Sequence, residues 1–376
     1  MSEPSVLVIS LATTTGWRIN ERELSASLAR LGVHHRVVRM ELGPERHLRR
    51  SGLWPVTDAV EAAGSRRALG RGMRDGRPSA VIFLSTTAAL AAPLAGLRAK
   101  GIATAIRVDV PSGSSRPGPQ NAVQRVLERR RLREADVVLA TGRRSAGLLE
   151  PLSRRVAVVP VPVTGAGEIP PERDDPRDLL TYSADPDNKG LDLVCEAWWS
   201  LPEETRGRRL HVTGVSEERG RRHLLRRGVA EPPELVWHGE LRHAEHVALT
   251  ESAAAYISAS EWEGSGIAQL EALAAGVPLA TTPSRGAYEA YPLACELALE
   301  LAAAERSAPA LAAALRAALG LTPQERRDYA ARAAAVLRDF TRDAADRALR
   351  REVLPRLGDS AGRPTRSPAA SSRCGR

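Results

Sequence analysis

One stretch constrains the fold more than any other: Ser258-Ala-Ser-Glu-Trp-Glu-Gly-Ser-Gly-Ile-Ala-Gln-Leu-Glu-Ala-Leu-Ala-Ala-Gly-Val-Pro-Leu-Ala-Thr-Thr282. Its pattern predicts strand, loop, helix and strand. Tyr256 and Ile257 close an apolar strand. Glu261 to Gly266 form a polar loop with two glycines, and Ile267, Leu270, Leu273 and Ala274 recur at helical spacing. Gly276 stands where a helix C-cap belongs, and Val277-Pro278-Leu279-Ala280 opens the next strand. Such a loop aims the free N–H groups of a helix N-terminus at a ligand, which suits a phosphate. Glu263 lies at the loop mouth and Glu271 farther along the helix, so about two turns carry both carboxylates to one side of the site.

Glu263-x7-Glu271, set within Ser-x-x-Glu-Gly-x-Gly-x-x-x-Leu-Glu-Ala-x-Ala-x-Gly-x-Pro, resembles the signature of retaining glycosyltransferase family 4, the glycosyl transferases group 1. The resemblance implies an α/β chain with the GT-B fold, two Rossmann-like doubly wound domains facing across a cleft. It implies transfer of a sugar from a nucleoside-diphosphate-sugar donor to an acceptor with retention of anomeric configuration. Glu271 would take the ribose hydroxyls and Glu263 would contact the donor sugar. Gly264, Ser265, Gly266 and Ile267 would face the diphosphate. The family needs no metal, and no cofactor is expected.

The rest of the chain fits two such halves. At 376 residues it is long enough for two domains of ordinary size. Apolar runs at Val6–Ile9, Ala80–Leu84, Ala103–Val108, Asp136–Ala140 and Val156–Val163 read as buried parallel strands alternating with helices. Pro162 to Arg177 turns to Pro, Gly, Glu and Asp, as a linker would. A second series then runs from Leu179 through Leu210–Thr213 and Leu235–Gly239 to the opening motif. The expected organisation is an acceptor-binding domain over residues 1–165 and a donor-binding domain over 166–340. A C-terminal helix over 341–358 would cross back to the first domain, and a disordered tail would occupy 359–376. Thr13 to Trp17 is expected as a turn, with a helix from Asn20. No G-x-G-x-x-G follows the first strand, which argues against a dinucleotide site.

A departing diphosphate needs positive charge. Asp185-Pro-Asp-Asn-Lys-Gly places Lys189 at the family's phosphate-binding lysine, in a chain with only one other lysine, Lys100. The arginine expected about five residues earlier is absent, because Ser183 and Ala184 occupy that ground. Arg18, Arg107 and Arg242 are the candidates to replace it. Gly16, Trp17, Arg18 and Arg107 are assigned to the cleft on the acceptor side, Asp109 to catalysis there, and His238 to the donor pocket, each by position in the resembling family. Asp185-x-Asp187 looks like a metal-binding pair, but Pro186 and Asn188 make it a turn.

Residues 1–170 carry 26 basic and 14 acidic side chains, and the remainder 28 and 31, so the first half is expected to meet something anionic. Expected partners are the nucleotide-sugar donor and a glycan, lipid-linked or small-molecule acceptor, with an anionic membrane surface as a further candidate. The basic segment Asn121–Glu134 is the helix that could lie on such a surface. Cys195, Cys295 and Cys374 have no metal or disulfide spacing, and no leader or membrane-spanning run is expected, so the setting reads as cytoplasmic. Two rivals stand beside the transferase reading. One is a nucleotide-sugar-binding protein without turnover, motivated by the absent arginine. The other is an Arg-rich nucleic-acid binder, which lacks interleaved aromatics.

Overall fold

The computed structural model describes residues 5–43, 47–48, 54–115, 118–172 and 176–359. Two parallel sheets organise it. The first contains β1 (Ser5–Ser10), β2 (His34–Arg39), β3 (Ala80–Phe83), β4 (Ala103–Val108), β5 (Val137–Ala140) and β6 (Val156–Val158), in spatial order β2-β1-β3-β4-β5-β6. The second contains β7 (Leu179–Tyr182), β8 (Leu210–Thr213), β9 (Leu235–Gly239), β10 (Ala255–Ser258) and β12 (Leu279–Thr281), in order β12-β10-β7-β8-β9. A two-residue pair, β11 (Trp262–Glu263) with β13 (Arg285–Gly286), sits beside it. Every strand pair is parallel, and both sheets are doubly wound, so the architecture is the GT-B arrangement.

Parallel strands are buried on both faces, which is why their sequences are continuous apolar runs rather than alternating ones. On one face of the first sheet, Leu7, Ile9, Phe83 and Ile106 pack with Leu94 and Leu132. On the other, Val6, Val8, Ile82 and Ala105 pack with Leu24 and Leu28 of the first helix and with Leu349, Val353 and Leu357. Those last three residues come from Arg342–Asp359, which therefore completes the core of the first sheet. Arg30 of the first helix clamps it by donating to Asp346 at 2.7 and 2.9 Å. The second sheet has its own core, which already includes Val163 and Ala166.

Three local expectations change. The first helix spans Thr15–Arg30, because Thr14 caps it by accepting the Trp17 N–H, so Gly16, Trp17 and Arg18 lie in its first turns and not in a preceding turn. The segment after β3 is two helices, Thr86–Leu90 and Leu94–Ala99, interrupted at Pro93. β6 ends at Val158 because Pro160 and Pro162 cannot donate to a ladder. Beyond Asp359, the expected tail lies outside the described residues.

Candidate active site

In the second sheet the strand order reverses direction between β7 and β10, which opens a crevice outside their C-terminal ends. The loop leaving β7 carries Asp185 to Gly190, and the loop leaving β10 carries Ala259 to Gly266. Asn188 joins the two. Its side-chain oxygen accepts from Trp262 N (3.1 Å), its amide donates to Trp262 O (3.0 Å), and its carbonyl accepts from Glu261 N (2.7 Å). Gly190 allows the close approach. It has φ +65°, and a Cβ there would meet the Ala259 carbonyl oxygen at 2.4 Å.

That junction brings Lys189 and Glu263 together. Lys189 Nζ donates to Glu263 Oε1, which also accepts from Ser260 Oγ (2.8 Å) and Gln269 Nε2 (3.2 Å). The ammonium lies 5.8 Å from the centre of the Tyr182 ring. Sequence reasoning placed Lys189 and Glu263 in one site. It missed Asn188, Ser260, Gln269 and Tyr182, whose roles depend on contacts between separate loops.

The helix Ile267–Ala274 starts at Gly266, held at φ 71°, and has no side-chain N-cap. Its first-turn N–H groups and positive dipole end therefore remain for a ligand. Glu271 is on this helix and only 8% exposed. Burial pushes its carboxyl up to about 7, an effect that Arg22 of the first helix partly offsets. His243 Nδ1, at the start of the preceding helix His243–Ser252, lies 3.6 Å from Glu271 Oε1, and burial lowers its pKa.

Across the cleft, Asp109 follows β4 and accepts from Ser265 Oγ at 3.2 Å. The same hydroxyl reaches Thr141, which follows β5, at 3.0 Å. Glu289 of the second half accepts the N–H groups of Arg144 (2.8 Å) and Ser145 (3.2 Å) at the start of a first-half helix. Arg18 is close enough to lower the pKa of Tyr182, although burial raises it overall. Arg18 and Arg22, one turn apart, thus lie within electrostatic reach of Tyr182 and Glu271, while Arg22 bonds Glu23 at 3.0 Å. Arg18 was a sequence candidate; Arg22 was not. Gly16 is exposed, and Trp17 is half-buried.

Three further candidates make other contacts. His238 turns to His211, with ring nitrogens 2.7 Å apart and rings stacked at 5.0 Å, and His211 in turn reaches Asp178 just before β7. The backbone of His238 is near the C-terminal end of β9, while the His211–Asp178 contact leads toward the N-terminal end of β7. Arg107, on β4, is 2% exposed, and burial lowers its pKa to about 10 despite the charge of Asp109. Arg242 is a surface residue bonded to Glu245. The Asp185-x-Asp187 carboxylates meet arginines: Arg219 approaches Asp185 (3.7 Å), and Arg226 and Arg227 approach Asp187 (3.3 Å each). Among the described residues, no group of three or more His, Cys, Asp or Glu side chains could hold a metal ion.

Residues 165–335 match the family model described as Glycosyl transferases group 1. Among solved structures, the sucrose-phosphate synthase from Thermosynechococcus elongatus superposes with a TM-score of 0.73 at 17% identity, covering 96% of this chain and 100% of that one. A UDP-forming α,α-trehalose-phosphate synthase from Burkholderia xenovorans gives 0.69 at 14% identity, covering 96% and 100%. An Anabaena protein in complex with UDP and glucose gives 0.67 at 12% identity, covering 93% and 98%. These are likenesses of fold. No curated protein matches the sequence.

Proposed function

We propose that this protein, whose residues 165–335 are a group 1 glycosyltransferase domain and whose whole chain has the GT-B fold, moves a sugar from a nucleoside diphosphate to a hydroxyl acceptor with retention. The observation that carries this reading is the Lys189–Glu263 pair beside the uncapped start of the Ile267–Ala274 helix, at the β7/β10 switch point. The bond between the anomeric carbon and the diphosphate oxygen breaks, and charge grows on both fragments. Lys189 and the N–H groups at Gly264 to Ile267 stabilise the departing diphosphate. Glu271 accepts from the ribose hydroxyls. Glu263 orients Lys189 and meets the donor sugar. The acceptor hydroxyl attacks from the side on which the diphosphate leaves and gives its proton to that group.

Arg18 and Arg22 take the place of the arginine absent at Ser183 and Ala184. Their support is their position on the first helix within electrostatic reach of Tyr182 and Glu271. This makes the first half a contributor to donor binding, so that domain closure assembles the clamp. Asp109, bonded to Ser265 across the cleft, lies where the acceptor meets the reacting carbon. The arginines around Asp185 and Asp187 support a diphosphate clamp built from side chains and backbone.

A uridine-diphosphate sugar is the first donor to test, since one similar structure is of a UDP-forming enzyme and another holds UDP. The acceptor is a glycan, a lipid-linked molecule or a small molecule. An anionic membrane surface is a further partner of the first half, whose basic excess supports it. The reaction is placed in a reducing, cytoplasmic setting, supported by free Cys195 and Cys295. A thermal-shift screen of UDP-, GDP-, ADP- and dTDP-sugars tests the reading, because a true donor raises Tm by mass action. Stabilisation followed by donor turnover supports transfer. Stabilisation without transfer or hydrolysis would leave a binding protein, and no stabilisation by any of the four classes would sink the donor site.

A further inference from the structure

The helix Ala122–Glu134 sits on the first domain with its polarity reversed. It buries Gln124 and Glu128 along with Leu132. It exposes Val123 (73%), Val126 (65%) and Leu127 (39%). The anchor is Glu128, whose Oε2 accepts from the backbone N–H of Ser112 (2.8 Å) and from the Ser112 hydroxyl. An amphipathic helix that packs only for stability does the opposite. Here the aliphatic side chains are left in water on the outer side.

Cations surround them. Val126, Arg129, Arg130 and Arg133 recur at helical spacing on one stripe, and Arg98 and Arg154 flank it across an open groove of about 490 Å³. Arg130 is paired with Glu134, and Arg98 approaches Asp136 at 3.4 Å. Arg129, Arg133 and Arg154 have no acidic partner among the described residues. The patch therefore combines three solvent-facing aliphatic side chains with uncompensated positive charge.

From this geometry we infer that the Ala122–Glu134 helix docks the protein on an anionic lipid bilayer. Val123, Val126 and Leu127 enter the boundary between headgroups and acyl chains, while the arginines stay at headgroup level with their stems along the apolar surface. A nucleic acid would engage the arginines but leave the valines in water, and no aromatic side chain on this helix offers a base a stacking surface. The groove residues Arg98, Glu134 and Arg154 precede β4, β5 and β6, so the patch lies toward the end of the first sheet away from Asp109 and Thr141. The inference stands on the helix itself and does not depend on the sugar-transfer reading.

The full-length protein should float with vesicles of phosphatidylcholine containing about one third phosphatidylglycerol at low salt, and stay behind with phosphatidylcholine alone. Arg129→Ala and Arg133→Ala should each weaken vesicle binding about fivefold. Val123→Asp combined with Val126→Asp should abolish it, whereas Val126→Leu should bind at least as tightly as the parent. Unchanged Tm and nucleotide-sugar binding would show that these surface variants are folded, whatever their membrane behaviour. Failure of the parent protein to bind anionic vesicles at low salt would overturn the inference. So would wild-type binding by the Val123/Val126 double variant, which would mean that only diffuse charge is at work.

Discussion

Lys189 Nζ and Glu263 Oε1 form an ion pair between residues 74 positions apart, with side chains only 16% and 9% exposed. The pair spans the switch point of the second sheet and joins the two loops of the proposed donor site. A charge left there without its partner is costly, and this makes its role measurable.

Lys189→Ala should lower turnover about ten- to a thousandfold, as losing one donor to a developing anion does. It should also destabilise the fold by about 3–5 kcal/mol, because Glu263 is left buried and unpaired. The double variant Lys189→Met/Glu263→Leu should regain much of that stability but none of the turnover. Urea melts and donor-turnover assays check both parts. Near-normal turnover in Lys189→Ala would remove this residue from the diphosphate clamp.

The raised pKa of Glu271 gives a pH dependence with a definite sign. Its folded value of about 7 exceeds its ordinary 4.5, so ionisation costs stability as pH rises from about 4.5 through 7. Glu271→Gln should therefore gain on the parent protein across that window, by up to about 3 kcal/mol at pH 8. If the ionised carboxylate holds the ribose, donor affinity should strengthen between pH 6 and pH 8 in the parent and stay flat in Glu271→Gln. Calorimetric titration at the two pH values decides; parallel profiles would exclude ribose binding through the carboxylate.

Arg18→Ala and Arg22→Ala should each raise the donor dissociation constant about tenfold or more, the loss of a charge-assisted contact. Arg242→Ala should stay close to the parent value, because that arginine is 85% exposed and bonds Glu245 on the surface. Isothermal titration with the donor found in the thermal-shift screen ranks the three. Equal effects at Arg18, Arg22 and Arg242 would indicate general charge loss and not a clamp.

Gly190→Ala should cost more than ordinary glycine replacement. The new Cβ combines positive φ with a 2.4 Å approach to a backbone oxygen, so the Asn188 junction must open, at a cost of about 2 kcal/mol or more. Chemical denaturation and donor binding should fall together. A variant as stable as the parent would show that the two loops are not held by this contact.

The sequence by itself determined the alternation of apolar strands with helices, hence a parallel α/β architecture, because a strand buried on both faces must be a continuous apolar run. It also determined the strand–loop–helix motif with Glu263, Glu271 and its glycines, because spacing on a short segment survives as geometry. Only the tertiary structure decided which distant residues meet. Asn188 finding Trp262, Ser265 finding Asp109, and His243 finding Glu271 all depend on how loops and domains face one another, and no local pattern encodes that. The surroundings of His238 and Arg107 were hidden for the same reason. A residue on or near a strand end can point to the site, to the other edge or into the layer below, and packing alone selects among these. The Ala122–Glu134 helix is the sharpest case. Its apolar residues could be listed from the sequence, but the burial of Gln124, Glu128 and Leu132 on the inner face, with Glu128 bonded to Ser112, left Val123, Val126 and Leu127 outward.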